Sequence, residues 1–281
     1  MNHFSQPKRR WIVSLRSFKR VAKAIIRAGS ARWHSAARIT RDLTTLGVRN
    51  GGVLMVHSSL SSLGYVPGGP KWVIKALLTA IGPEGTLVMP THTWDRPGRG
   101  DFRFDVRGTP SCVGAITEVF RKMPGVLRSL HPTHSVAAFG PRASFIIELH
   151  CAASTPCGPG TPYAKLLDAH GQILFLGTTF EQNTALHSLE SIADVAYLLE
   201  DNDETFTVTD VDGVTRPMQF RRHRPGPERR FQDTRALLEK GGAVRTGKVA
   251  ESDSLLVESA PMAALILAEI RRNPDYLLAR D

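Results

Sequence analysis

Residues 51–90 alternate between two short apolar runs and one amphipathic segment, and this order constrains the fold more than any other feature of the chain. A Gly-Gly turn precedes the apolar run 53–57, which has the length and content of a buried strand. Apolar residues then recur at helical spacing over 72–81, and a second apolar run follows at 86–90. Such a strand–loop–helix–strand unit is the building block of an α/β fold.

The chain continues to alternate between helical and extended patterns up to residue 199 and then becomes rich in strands. Residues 206–209 and 213–220 alternate like the two strands of a hairpin, and a basic loop rich in Pro and Gly follows at 221–230. This pattern predicts one body with a strand-rich C-terminal insert. The other predicted elements are helices over 113–121, 141–149, 162–169, 184–199, 231–240 and 260–272, and extended segments over 135–139, 172–177 and 243–249.

The first 50 residues carry almost all of the net charge. They contain 12 Lys and Arg against one acidic residue, Asp42, whereas the whole chain has 36 Lys and Arg against 26 Asp and Glu. Between residues 8 and 27, basic residues fill the gaps in an apolar pattern of helical spacing, which predicts a basic amphipathic helix. The apolar positions are Trp11, Leu15, Phe18, Ala22 and Ile25. We therefore divide the chain into a basic N-terminal extension, residues 1–37, and a single domain, residues 38–281.

A basic amphipathic helix in this extension is compatible with three surroundings. It can lie on an anionic membrane surface, dock onto a partner, or lie over the folded body with its arginines in solvent. No aromatic-basic pattern or DNA-binding motif accompanies it, so nucleic acid is not expected as a partner. The oligomeric state is not predicted.

Cysteine usage and the N-terminal sequence indicate the compartment. Cys112, Cys151 and Cys157 are too few for a disulfide framework, and none forms a CxxC pair that would suggest zinc. The basic N-terminus lacks the apolar core and the small-residue cleavage site of an export signal. No apolar run approaches the roughly 18–20 residues of a transmembrane helix. We expect a cytoplasmic protein with reduced thiols and no bound metal.

The motifs of several common enzyme classes are missing. The sequence has no Walker A loop, GxGxxG, GxSxG or HExxH, which argues against nucleotide hydrolysis, dehydrogenation, esterase chemistry and zinc proteolysis. Polar residues concentrate instead at 57–64, 128–135 and 183–190. The first segment follows a predicted core strand, where loops of open α/β sheets line the ligand crevice, and its small residues let N–H groups and hydroxyls reach an anion. In the second, Arg128 is suited to pair with a phosphate.

In the third segment, His187 and Glu190 lie three residues apart and share a face of the predicted helix. A carboxylate beside an imidazole fixes its tautomer and stabilises its protonated form, as a general base requires. Most such pairs are surface contacts, but this helix begins near the carboxyl end of a predicted strand. We therefore interpret the pair as candidate catalytic residues.

Taken together, these segments resemble the aminoglycoside 3-N-acetyltransferase family in order and spacing over most of residues 39–270. The resemblance implies an α/β fold with a central mixed β-sheet flanked by helices. It also implies acetyl-CoA as the donor and a primary amine of an aminoglycoside as the acceptor. The matching stretches are V-H-S-S-L-S-S-L-G at 56–64 with Gly68-Gly69, G-P-E-G-T-L-V-M-P-T at 82–91, R-S-L-H-P-T-H-S at 128–135, Thr161-Pro162-Tyr163 with Leu166, and Asn183-Thr184 with His187 and Glu190.

The resemblance also implies the roles of individual residues. His187 is the general base with Glu190 behind it. The acetyl-CoA site maps onto Ser58, Ser59, Leu60, Ser61, Arg128 and Ser129. The tetrahedral oxyanion needs a donor, for which a backbone N–H, Thr184 or Ser58 is available. Because aminoglycosides are polycations, we expect acidic residues at the acceptor site, and the candidates are Asp95, Glu200, Asp201 and Asp203.

Three other functions stay open at the level of the sequence. An enzyme of this family can acylate another amine, such as an amino sugar or a biosynthetic intermediate. A protein that docks a partner or membrane through its extension, without catalysis, is a second alternative. A metal hydrolase is the third, with His131, His134, His187 and Glu190 as its ligands, but no recognised ligand motif ties these residues together.

Overall fold

The computed structural model of the protein describes residues 33–95 and 102–279. The amphipathic helix predicted at residues 8–27 lies outside the described residues. Within the described ranges, no helix is long and apolar enough to cross a membrane. Cys112, Cys151 and Cys157 are all free thiols, as the cysteine count predicts.

A mixed sheet of seven strands lies at the centre of the described fold, in the order β4-β5-β2-β1-β6-β10-β9. The strands in chain order are β1 (Val53–Ser58), β2 (Thr86–Pro90), β3 (Arg103–Asp105), β4 (Leu127–Arg128), β5 (Val136–Phe139), β6 (Gln172–Leu176), β7 (Glu204–Thr209), β8 (Thr215–Phe220), β9 (Val244–Val249) and β10 (Ser252–Glu258). β1 pairs in parallel with β2 and β6, whereas the outer pairs are antiparallel. The predicted mixed sheet is confirmed.

Helices cover both faces of this sheet. They are α1 (Ala36–Leu46), α2 (Gly69–Ile81), α3 (Ala115–Phe120), α4 (Ala143–Ile147), α5 (Pro162–Asp168), α6 (Leu186–Ile192), α7 (Arg235–Lys240) and α8 (Ser259–Arg272). On β1, Val53 and Met55 pack in the core that contains α5, α6 and α8, whereas Leu54 and Val56 pack in the core that contains α1, α2 and α3. Alternate side chains of a strand point to opposite faces, so β1 is apolar throughout because both of its faces are buried.

The strand-rich insert joins β3, from earlier in the chain, to form a second sheet of three strands in the order β3-β7-β8. β7 and β8 make the predicted hairpin, and Gly213 in its turn has a φ of 82°. Phenylalanines from all three strands, together with Val106 and Val208, form a small separate core. β3 was not predicted, because three residues are too few to show an alternating pattern.

The helix predicted over 184–199 is wrong in its length. α6 ends at Ile192, and Asp194 takes a φ of 53°, in the left-handed region. This backbone reverses the chain, so that Val195 and Leu198 turn into the core. The apolar residues that suggested a continuous helix are therefore buried by a turn.

Strand β10 was not predicted, although its seven residues join β6 to β9. Two of its inward positions are serines, which hide the apolar pattern. Ser252 and Ser254 are buried because their hydroxyls hydrogen-bond to each other across 3.0 Å. Their mutual bond satisfies polar groups that would otherwise oppose burial.

Helix α1 packs as part of the folded body. The Ser35 hydroxyl accepts a hydrogen bond from the backbone N–H of Arg38 at 3.1 Å, which caps the helix. Ile39 and Leu43 have no exposed surface. The division drawn at residue 37 falls inside this helix, which begins at Ala36.

Gly140 provides a test of close backbone packing in the sheet. Its φ is 125°, and a Cβ at this position would lie 2.3 Å from the carbonyl oxygen of Gly85. We expect Gly140→Ala to lower the free energy of unfolding by about 3 kcal/mol, since the backbone must move as well as adopt an unfavourable φ. Gly213→Ala is the matched control: its φ is 82° but no atom lies within 4 Å, so we expect a loss of about 1 kcal/mol. Denaturant unfolding that gives equal losses would contradict this account.

Candidate active site

A cleft opens at the carboxyl ends of the three parallel strands β1, β2 and β6. It holds about 710 Å³ of space, counting the part open to solvent. Ligands of open α/β sheets bind at this edge of the sheet. The lining residues are Val56, His57, Ser58, Pro90, His92, Trp94, Val113, Thr117, His134, Thr178, Glu181, Gln182, Thr184, His187 and Phe231.

The predicted pair of His187 and Glu190 forms a short hydrogen bond at this cleft. His187 Nδ1 and Glu190 Oε2 are 2.5 Å apart, on consecutive turns of α6. The His187 side chain is 19% exposed and lines the cleft, whereas the Glu190 side chain has no exposed surface. An ionised carboxylate can only accept, so Nδ1 donates and Nε2 is left as the basic nitrogen. This is the arrangement that a general base needs.

The carboxylate of Glu190 stays ionised because of its neighbours. Burial by itself raises the pKa of Glu190, but the hydrogen bond from His187 and the nearby Arg229 guanidinium lower it, and the net pKa lies below its usual value. Arg229 Nε lies 3.4 Å from Glu190 Oε1, and the guanidinium stacks 5.2 Å from the centre of the Tyr197 ring. A buried negative charge therefore stands behind the imidazole of His187.

Four further histidines surround the pair, and the sequence analysis assigned none of them to the acetyl-transfer site. The ring of His223 lies 4.5 Å from that of His187 and 4.8 Å from that of His134. Burial lowers the pKa of His57 and of His134 to about 3. Burial, and then neighbouring imidazoles, hold the pKa of His92 and His223 well below the usual range. These four rings are therefore neutral at pH 7 and add no positive charge to the cleft.

The serine-rich loop lies beside this cleft, as predicted. Ser58 lines it, and Ser58, Ser59, Leu60 and Ser61 also line a neighbouring groove together with Gly114. Ser58 lines both, so the groove and the cleft are neighbours. The Ser59 and Ser61 hydroxyls lie 3.2 Å apart and are exposed to the groove.

Arg128 does not line the cleft, contrary to the donor-site prediction. Its guanidinium donates to the carbonyl oxygens of Thr109 at 2.6 Å and Thr91 at 2.8 Å, and lies 5.0 Å from the centre of the Phe104 ring. Burial, and then the nearby charge of Arg121, lowers the pKa of Arg128 to about 9. Its donors join the loop after β3 to the central sheet, so the side chain acts as a structural anchor.

Ser129 is also buried away from the cleft. Only 1% of its surface is exposed, and its hydroxyl lies 2.8 Å from Nδ1 of His150. The Ser129 oxygen accepts a hydrogen bond from the backbone N–H of Val136 at 2.9 Å. Its polar group is thus already satisfied within the fold.

The acidic residues around position 200 do not line the cleft either. Asp203 forms an ion pair with Arg221 at 2.7 Å, and Asp201 hydrogen-bonds to Arg224. Glu200 and Asp201 line a different surface pocket together with the same two arginines. The basic loop 221–230 therefore pairs with these acids away from the cleft.

Other acidic groups lie at or near the cleft. Glu181 lines it, and its Oε1 accepts from the backbone N–H of Gln232 at 2.7 Å. Asp95 follows Trp94, a lining residue that is 56% exposed. Asp95 also contacts Cys112: burial, and then Asp95, raises the pKa of that thiol to about 11. Glu181 was missed because an isolated acid in a loop carries no motif.

The family model for aminoglycoside 3-N-acetyltransferases matches residues 55–270. The chain belongs to this family. Aminoglycoside N(3)-acetyltransferase IV of Salmonella sp is 35% identical over 240 residues, covering 85% of this chain and 88% of that protein. Aminoglycoside N(3)-acetyltransferase IX of Micromonospora chalcea is 30% identical over 253 residues, covering 80% and 89%.

Solved structures agree with this assignment of the acetyltransferase family. A variant of the aminoglycoside acetyltransferase AAC(3)-IVa in complex with a gentamicin superposes with a TM-score of 0.77 at 31% identity. The match covers 89% of this chain and 93% of that one. The similarity therefore extends over the central sheet and the insert together.

The structural role of Arg128 can be separated from a role in donor binding. Arg128→Lys keeps the charge but loses the planar fork of donors, so we expect the free energy of unfolding to fall by about 3 kcal/mol. The KM for acetyl-CoA should stay within about twofold of wild type, with exposed Arg142→Lys as the control. A KM raised more than about tenfold without a loss of stability would return Arg128 to the donor site.

The buried, neutral His57 makes stability depend on pH. Its pKa of about 3 lies below the ordinary value of 6.5, so between these values the unfolded chain binds a proton that the folded chain does not. Its contribution to stability is complete above pH 6.5 and is lost as the pH falls from 6.5 towards 3. When the pH falls from 7.5 to 5.5, we expect the free energy of unfolding of His57→Gln, measured in urea, to fall by about 1 kcal/mol less than that of the wild-type protein. The exposed control His170→Asn should keep the wild-type dependence of stability on pH. The same dependence in His57→Gln would contradict the assignment of His57 as a buried, neutral group.

Proposed function

We propose that this protein transfers the acetyl group of acetyl-CoA to the 3-amino group of a 2-deoxystreptamine aminoglycoside, a reaction that confers antibiotic resistance. The observation that carries the proposal is the His187–Glu190 pair, 2.5 Å apart, whose imidazole opens into a cleft at the carboxyl ends of three parallel strands. Family membership supports the reaction type. The relative solved with a gentamicin supports the class of acceptor.

His187 acts in this proposal as the general base. Nε2 takes a proton from the acceptor amine as the amine nitrogen attacks the thioester carbonyl. The C–S bond then breaks, and the leaving CoA thiolate takes up that proton from the imidazolium and departs as the thiol. Glu190 stabilises the imidazolium that forms, because its negative charge lies against Nδ1. A thioester is already activated, so orientation and proton removal suffice without a covalent enzyme intermediate. No metal is required for these steps.

In this proposal, acetyl-CoA lies with its CoA part in the groove and its acetyl end in the cleft. Ser59, Leu60 and Ser61 would line the arm of CoA in the groove, and Ser58 lies where the groove meets the cleft. Ser58 and Thr184 both line the cleft with His187, and we assign the oxyanion contact to their hydroxyls.

The acceptor is a polycation. The cleft is suited to it because carboxylates lie at the cleft and the histidines around His187 are neutral. Glu181 supplies a carboxylate on the lining, with Asp95 beside the exposed ring of Trp94. The surrounding histidines are neutral because burial depresses the pKa of each, as for His134, whose pKa falls to about 3. A cationic amine therefore meets no fixed positive charge from these rings.

We also propose that residues 38–281 act as a single acetyltransferase domain and that the basic extension, residues 1–37, contacts a membrane surface or a partner through residues 8–27. The extension carries the excess positive charge that such a surface would bind. The reaction would take place in the cytoplasm, where acetyl-CoA is available.

The test of the proposed function is release of free CoA thiol by the purified protein with and without gentamicin. We expect release only when the drug is present. His187→Asn should lower kcat by about 10³-fold and leave the Kd for acetyl-CoA unchanged, because the base contributes to proton transfer and not to donor binding. Exposed His170→Asn is the matched control and should keep full activity.

Glu190→Gln tests the role of the buried carboxylate in the same assay. We expect kcat to fall about 10- to 100-fold, since loss of the negative charge removes the stabilisation of the imidazolium that forms in the reaction. Full activity in His187→Asn would overturn the assignment of the base. Binding of acetyl-CoA without drug-dependent release would move the acceptor to another amine, such as an amino sugar.

A further inference from the structure

Three side chains from separate segments converge beside the proposed active site. One ligand atom each from His134, Cys157 and His223 lie within 4.8 Å of one another. His134 lies in the loop before β5, Cys157 precedes α5, and His223 follows β8. We propose that these residues bind a Zn²⁺ ion, a site that the acetyl-transfer reaction does not require.

The hydrogen bonds around His134 leave one of its nitrogens ready to bind a metal. Nδ1 of His131 accepts from the backbone N–H groups of Thr133 at 3.2 Å and His134 at 3.1 Å, so this nitrogen carries a lone pair. The Thr133 hydroxyl, 3.3 Å from that lone pair, donates to it and accepts from Nδ1 of His134 at 2.8 Å. With these donor and acceptor roles, each of these groups has a partner, and the lone pair of the His134 ring lies on Nε2. A hydrogen bond from the ring nitrogen that does not bind the metal fixes the tautomer of metal-binding histidines.

His223 contributes a nitrogen that the described structure leaves unsatisfied. Its Nε2 is buried and has no hydrogen-bond partner among the described residues. The ring is held between those of His134 and His187, at centroid distances of 4.8 Å and 4.5 Å, and its backbone bridges to Leu199. A buried polar atom without a partner is costly, and a metal bond would satisfy it.

Cys157 completes the donor set. Its side chain has no exposed surface, and its backbone carbonyl accepts the Ser188 hydroxyl at 2.5 Å, which ties it to α6. Metal binding would replace the S–H bond by a metal–sulfur bond and release one proton to solvent. Affinity should therefore fall as the pH is lowered.

Two imidazole nitrogens and one thiolate favour zinc over hard cations. Mg²⁺ and Ca²⁺ prefer oxygen ligands, whereas Zn²⁺ binds His at about 2.0 Å and Cys at about 2.3 Å in tetrahedral geometry. Ligand atoms of such a site lie roughly 3.3–3.6 Å apart, so side-chain rotation that closes the set by about 1 Å completes it. His134 lines the cleft, so solvent can reach the candidate ligand set from that side.

The experiment is a titration of the chelator-treated full-length protein with ZnCl₂ by isothermal calorimetry at pH 7.5. We expect one Zn²⁺ per chain and a higher Tm of the loaded protein. Cys157→Ser and His223→Gln should each weaken binding at least about 100-fold. Cys151→Ser and His170→Asn are the matched controls, one thiol and one imidazole outside the set, and should bind as wild type does.

Cobalt gives a spectroscopic test that does not depend on activity. Co²⁺ loading should produce a sulfur-to-metal charge-transfer band in wild type that Cys157→Ser lacks while keeping a wild-type circular dichroism spectrum. No binding by the wild-type protein, or a Zn²⁺ affinity and Co²⁺ band that survive Cys157→Ser, would overturn the proposal. Drug-dependent thiol release measured on the chelator-treated protein tests the acetyltransferase function separately.

Discussion

Three parallel strands that are buried on both faces, β1, β2 and β6, leave polar side chains only at their ends. Their central residues are apolar and unexposed, because helices cover the sheet on each side. The polar residues that follow the strands consequently gather at one edge, where the cleft opens. His57 lies at the end of β1, His92 follows β2, and His187 lies on α6, which follows β6. The parallel pairing of the three strands brings these segments to the same edge of the sheet.

At that edge, the buried charge of Glu190 determines what the imidazole of His187 can do. A carboxylate without exposed surface must be matched by donors, and His187 and Arg229 supply them. Because the carboxylate only accepts, it selects the tautomer whose basic nitrogen is Nε2. The surrounding neutral histidines contribute hydrogen-bonding groups without positive charge, which is compatible with a cationic acceptor.

Local pattern was sufficient for some parts of the structure and insufficient for others. β1 and β2 were predicted to within one residue because apolar runs bounded by glycine turns define them locally. The pair of His187 and Glu190 was predicted for the same reason, since its members lie three positions apart in the chain. The partners of Arg128 and Asp201 could not be predicted because they lie 19 and 23 residues away along the chain. No sequence pattern of short range reports such pairings.

The central claim is that Glu190 holds His187 with its hydrogen on Nδ1 and a basic Nε2 facing the cleft. The most direct measurement is the ¹⁵N NMR spectrum of the imidazole of His187 in labelled protein at neutral pH, assigned with His187→Asn. The account predicts a protonated Nδ1 in a strong hydrogen bond and a pyridine-like Nε2, and loss of this tautomer preference in Glu190→Gln. A neutral ring protonated on Nε2, or a tautomer unchanged in Glu190→Gln, would contradict it.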